Sequence, residues 1–190
     1  MTLQEYEPEG IYLGQLTEPN GTLVQQWGEH VEYFSDYSYN GIALEGYFGL
    51  GFQVDPGANI LAADMGKVTE ISIDEGGLGK YIKIEHWWGE SIYALLNKIY
   101  ITSGQTVERG LKIASSGKTL IDSEKKSRFH FSIRFHPYNR FDGWGGFSDP
   151  LPFMDPKNVL FMADSKNQYN LSDQSQPLKL NNELPYMRRP

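Results

Sequence analysis

The chain has 190 residues, 39% of them apolar, which is enough to bury one sizeable core with terminal extensions. A formal charge of -7 and the lack of any dense Lys/Arg run argue against a nucleic-acid partner. The absence of cysteine excludes disulfides, thiolate metal sites and a thiol nucleophile, and no apolar run is long enough to span a bilayer, so no membrane partner is expected.

Residues 1–21 are polar with Pro and Gly punctuation and read as an N-terminal arm. Its acidic start, Met1 to Glu9, has no apolar h-region, which predicts no secretory signal and synthesis in the cytoplasm. Residues 22–164 read as one globular domain with a period of two. Lys67 to Asp74 alternates, Glu75 to Gly79 supplies a turn, Lys80 to Trp87 alternates again, and Glu90 to Leu95 follows Gly89. Leu111 to Ala114 and Arg128 to Phe135 give two further strands. Ser91 to Lys98 is the one segment open to a helical reading. The fold class is mainly β, an antiparallel meander with tight glycine turns. Residues 165–190 form a polar tail whose composition predicts disorder. Leu178, Leu180, Leu184, Tyr186 and Met187 leave open an arm that orders on a partner.

Between about Trp27 and Met154, several segments in order resemble the LytM/lysostaphin-type zinc metallopeptidases, which cleave peptidoglycan. Asp55-Pro56-Gly57-Ala58-Asn59-Ile60-Leu61-Ala62-Ala63 leads into Gly66-Lys67-Val68, and Gly79-Lys80-Tyr81-Ile82-Lys83-Ile84-Glu85-His86 follows. Ser103-Gly104-Gln105-Thr106-Val107 precedes Gly110, Ile113 and Ser116-Gly117-Lys118-Thr119; Phe129-His130-Phe131-Ser132-Ile133-Arg134 and Asp149-Pro150-Leu151-Pro152 complete the set. The resemblance implies the duplicated hybrid β architecture of that family.

It also implies where a zinc site would stand. The family's ligands are the His and Asp of "H-x-G-x-D" and the second His of "H-x-H". Two further His residues, in "Y-A-H-L" and at the start of "H-x-H", assist the chemistry. Here these positions read Tyr47, Gly51, His130, Leu95 and Arg128, so four of the five are replaced. A glycine has no ligand atom, a neutral phenol is a poor ligand, and a guanidinium disfavours a dication. His130 and His136 share a strand face but stand roughly 20 Å apart, and His86 matches a family position that is not a ligand. No G-x-S-x-G elbow is present. No metal, cofactor or catalytic residue is therefore expected; Tyr47, Gly51 and His130 mark a vestigial site.

The expected role is a structural or interaction module, with other protein subunits docking on the two arms. By analogy, one setting is a virion or tail-like particle. The alternatives are a regulator of a wall hydrolase and a peptidoglycan-binding module. The binding reading draws on Tyr47, Trp87, Trp88, Tyr93, Leu95, Arg128 and His130 lining the old groove. Packing is the plainer reading of those aromatics, and a satisfied, half-buried side chain that of His130. The charged loop from Leu120 to Ser127 would alter the groove wall, and Asp142 to Pro150 reads as a rigid packed turn.

Overall fold

A computed structural model describes residues 10–30, 38–117 and 127–162. The first nine residues, the charged loop at 118–126 and the polar tail lie outside the described residues, so the expectations for them rest on sequence alone.

Fourteen strands are described: β1 (Thr17–Glu18), β2 (Thr22–Gln25), β3 (Ser38–Tyr39), β4 (Ile42–Ala43), β5 (Leu50–Val54), β6 (Asn59–Leu61) and β7 (Gly66–Asp74). They continue as β8 (Gly79–His86), β9 (Gly89–Ile99), β10 (Thr106–Val107), β11 (Lys112–Ser116), β12 (Ser127–Phe135), β13 (Phe147–Ser148) and β14 (Leu160–Phe161). The only helical elements among the described residues are two short 3-10 turns, Leu151–Phe153 and Pro156–Asn158. The ambiguous segment at 91–98 is strand throughout, inside β9.

Twelve strands form one curled sheet and β3–β4 a separate hairpin. The meander holds for β7, β8 and β9, where tight turns join neighbours. Beyond it the order is not sequential: β9 pairs with β12, β12 with β5, and β5 with β2. The sheet is mixed because β14 runs parallel to β2.

Period-two alternation sorts this sheet into two buried faces. The inner face carries Phe52, Ile82, Ile84, Tyr93, Phe129, Phe131 and Ile133 in the main core. The outer face carries Ile92 and Ala94 in a smaller cluster with Tyr39, Phe48, Leu78 and Phe147. Residues 10–21 differ from the expected arm. Ile11, Leu13 and Leu16 are buried in the main core, β1 pairs with β6, and Leu13 bridges Met154. Leu16 is out of step with Ile11 and Leu13, and contact with the main core rather than local pattern fixes these side chains.

Candidate functional site

His130 lies at the centre of the sheet, opposite Gly51 of β5 on one side and Ala94 of β9 on the other. Tyr47 comes up beside it from the segment preceding β5. Two backbone bonds hold that segment: Tyr47 N–H donates to Glu29 O at 3.0 Å, and Gly28 N–H to Tyr47 O at 2.8 Å. The phenol then reaches His130, and Tyr47 Oη and His130 Nδ1 share a 2.6 Å hydrogen bond. The two rings meet edge to face at 5.1 Å, and Phe48 packs on the imidazole at 4.7 Å.

Gly51 is the register partner of both His130 and Gln25. A Cβ built on it would stand 2.9 Å from Gln25 Cβ and 3.1 Å from Tyr47 Oη. The volume an aspartate would need at 51 is thus taken by Gln25 and the Tyr47 phenol. Sequence reasoning did not single out Gln25, because it arrives from a strand far from every motif. Gly49 closes the opposite side, where a Cβ would lie 2.9 Å from both His130 Cε1 and Ser132 Cβ.

His130 is 3% exposed, fully rather than half buried, and only half satisfied: its Nε2 has no hydrogen-bond partner among the described residues. Ser132 Oγ, two residues on along the same face, is also buried without one. Burial holds the imidazole neutral, lowering its pKa from 6.5 to about 3.

Of the remaining groove residues, Arg128 and Leu95 lie next to His130 in the sheet, whereas Tyr93, Trp87 and Trp88 do not join the site. Tyr93 precedes Ala94 on β9, so its side chain points to the inner face. It is fully buried against Phe129 and Phe131, and its hydroxyl accepts from Ala63 N–H at 2.8 Å. Trp87 lies in the β8–β9 turn next to Gly89, whose partner on β12 is Phe135. Five residues separate Phe135 from His130, roughly 16 Å along the strand. Trp88 is buried and donates from Nε1 to Asp64 Oδ2 at 3.1 Å. Arg128 is half-buried opposite Gln53, one same-face position from His130. Leu95 sits beside Ala94 at a register irregularity with φ of 61°, in the left-handed region that a branched side chain rarely occupies. Its N–H donates to Leu78 O and its carbonyl accepts from Gly117 N–H.

The other buried histidine, His86, is a structural joint. Its Nδ1 pairs with Met65 O at 2.8 Å, its Nε2 with Ser91 Oγ at 2.7 Å, and its ring stacks on Trp88. Beside it Asp64 Oδ1 accepts from Arg109 Nη2 at 2.8 Å. The expected packing role of the 142–150 turn is visible in Trp144, whose ring packs against Trp27 at 4.8 Å with the planes tilted by 32°. Among the described residues no group of three or more His, Asp or Glu is placed to hold a metal ion, and no helix is long and apolar enough to cross a membrane.

A curled, mainly β sheet with these motifs in this order is the fold of a LytM/lysostaphin-type peptidase domain. Residues 45–142 match the model of peptidase family M23, and the chain belongs to that family. Its fold is shared with the catalytic domain of lysostaphin from Staphylococcus simulans, at a TM-score of 0.55 and 21% identity, covering 70% of this chain and 91% of that one. An uncharacterized metalloprotease of Haemophilus influenzae is 32% identical over 92 residues, 48% of this chain and 19% of that protein. The uncharacterized lipoprotein YgeR of Escherichia coli is 30% identical over 110 residues, 57% of this chain and 39% of that protein. The match thus spans less than half the length of either relative.

Proposed function

We propose that this chain is a non-catalytic M23 member whose fold serves as an interaction module in a larger assembly. The observation that carries the reading is the Tyr47–His130 hydrogen bond. A catalytic zinc needs three protein ligands and an open position for water. The positions in question offer one buried imidazole, a phenol already hydrogen-bonded to its Nδ1, and a glycine whose side-chain space Gln25 occupies. These residues do not fit a zinc ion, and no catalytic step is derived through one. Arg128 adds a fixed positive charge one same-face position away.

The test uses the full chain, equilibrated with zinc, dialysed, and analysed for metal and for release of peptide fragments from purified peptidoglycan. The expected result is no stoichiometric zinc and no cleavage. One zinc per chain, with cleavage abolished by a chelator, would overturn the proposal. A peptidoglycan-binding groove is the weaker reading, since Tyr93 and Trp88 are committed to packing and Trp87 lies at the far end of the sheet.

A further inference from the structure

The sequence holds two Asn-Gly pairs, Asn20-Gly21 and Asn40-Gly41, and one Asp-Gly pair, Asp142-Gly143. Such pairs carry a chemistry of their own. The glycine's backbone nitrogen can add to the carbonyl carbon of the preceding side chain, because no Cβ on the glycine stands in the way. The fold treats the three pairs differently. Gly21 is buried, its N–H donates to Thr17 Oγ1 at 2.7 Å and its carbonyl accepts from Leu160 N–H. Asn20 Nδ2 donates to Lys157 O at 3.1 Å, so both reacting groups of that pair are held. Asp142 is held as well: its Oδ1 accepts from Trp144 N–H at 2.8 Å and from Gly146 N–H at 3.0 Å.

Asn40 and Gly41 are exposed and form the two-residue turn of the β3–β4 hairpin. Their φ angles of 50° and 77° are both positive, as a type I′ turn requires. Among the described residues no hydrogen bond holds the Asn40 amide or the Gly41 N–H, and a Cβ built on Gly41 would meet nothing within 4 Å. The hairpin has only the pairs Ser38–Ala43 and Tyr39–Ile42 and joins no larger sheet. An isolated two-stranded pair opens at little cost, and opening lets the Gly41 nitrogen swing onto Asn40 Cγ. Gly21, by contrast, leads into β2, which lies between β5 and β14 in the twelve-stranded sheet.

We infer that Asn40-Gly41 is a site of spontaneous deamidation, and that its isoaspartate product loosens the seat of Tyr39. The Gly41 nitrogen loses its proton to hydroxide and bonds to Asn40 Cγ. The Cγ–Nδ2 bond breaks, and Nδ2 takes a proton from water and leaves as ammonia. Water then opens the cyclic imide. Cleavage between Cγ and the Gly41 nitrogen gives aspartate; cleavage between the Asn40 main-chain carbonyl carbon and that nitrogen gives isoaspartate. Nothing is oxidised or reduced. Aspartate keeps the turn, since Asp-Gly also suits type I′. Isoaspartate adds an atom to the main chain inside a two-residue turn and breaks its geometry. Tyr39, the next residue back, is 5% exposed and packs on Phe147 at 5.0 Å and on Phe48 at 5.8 Å. Phe48 in turn covers His130, so the modified turn lies one aromatic layer from that histidine. This chemistry does not depend on whether the chain is catalytic.

The test incubates the full chain in mildly alkaline buffer and maps its peptides by mass, with an isoaspartyl methyltransferase labelling the isoaspartate. In the folded chain Asn40 is expected to react at least about tenfold faster than Asn20. In urea, where the fold no longer protects either pair, the two rates are expected to agree within about threefold. Equal rates in the folded chain, or a faster Asn20, overturn the site. A tenfold difference that persists in urea would belong to the flanking residues and overturns it too. Amide exchange at Tyr39 and Ile42 is expected to rise severalfold in the isoaspartate form and to stay within about twofold of wild type in Asn40→Asp. An isoaspartate form that exchanges like wild type overturns the loosening of Tyr39.

Discussion

His86 and His130 are buried in the same sheet, yet the sheet holds them in opposite ways. Both nitrogens of His86 are bonded, one to the Met65 carbonyl and one to Ser91, and Trp88 covers its ring. His130 has one nitrogen engaged by Tyr47 and the other without a partner among the described residues. A joint that evolved as a joint uses the whole donor and acceptor capacity of the imidazole. His130 uses one nitrogen only, and Tyr47, Phe48 and Gln25 fill the space around it; on the proposed function this is a site no longer used for metal. The contrast separates a fully bonded buried imidazole from a half-bonded one where burial alone does not.

The contrast breaks if the two sites respond alike to loss of the imidazole. His86→Leu leaves the Met65 carbonyl and the buried Ser91 hydroxyl without their partner, and is expected to cost about 2–3 kcal/mol in urea unfolding. Gly51→Asp, which forces a side chain into the space of Gln25 and the Tyr47 phenol, is expected to cost about 2 kcal/mol. A Gln25→Ala background should recover part of that loss, and failure to do so would show that the obstruction lies elsewhere.

Removing both members of the other pair, Tyr47→Phe with His130→Leu, is expected to change stability by less than about 1 kcal/mol at neutral pH. The same variant sharpens the contrast through pH. His130 in the folded chain is depressed to about 3 from an ordinary 6.5, so between those values the unfolded chain binds the extra proton. Its contribution therefore erodes stability as pH falls from about 6.5 towards 3. The double variant should lose less stability than wild type across that window, and NMR of wild type should show a His130 ring that does not titrate above pH 5. The smallest effect is expected at Leu95, whose φ of 61° carries strain that glycine relieves. Leu95→Gly should gain or lose no more than about 1 kcal/mol in the same unfolding assay, because relief of strain offsets lost contacts.

Much of the fold was legible because β7 and β8 alternate over most of their length and glycines at 76, 77, 79 and 89 mark the turns around them. The positions of Tyr47, Gly51 and His130 were legible from the motifs, and the structure brings those three together. Tyr93 shows a signal present but unused: its neighbour Ala94 lies opposite His130, so strand parity alone sends the Tyr93 ring to the inner face. Residues 10–21 were illegible for a physical reason. Leu16 is out of step with Ile11 and Leu13, and only contact with distant elements reveals them as core. Gln25 was illegible too, since it joins the site through register across β5 rather than through any local pattern.

The parallel pairing of Leu160 and Phe161 with Thr22 and Leu23 has a consequence for the life of the chain on the ribosome. β2 has β5 on one side, but its other edge is completed only by the last strand described, so that edge stays open until nearly all of these residues have been synthesised. Through that interval the free edge of β2 is exposed to mispairing. Chaperone contact during translation, rather than intrinsic folding speed, is then expected to limit the yield of native protein.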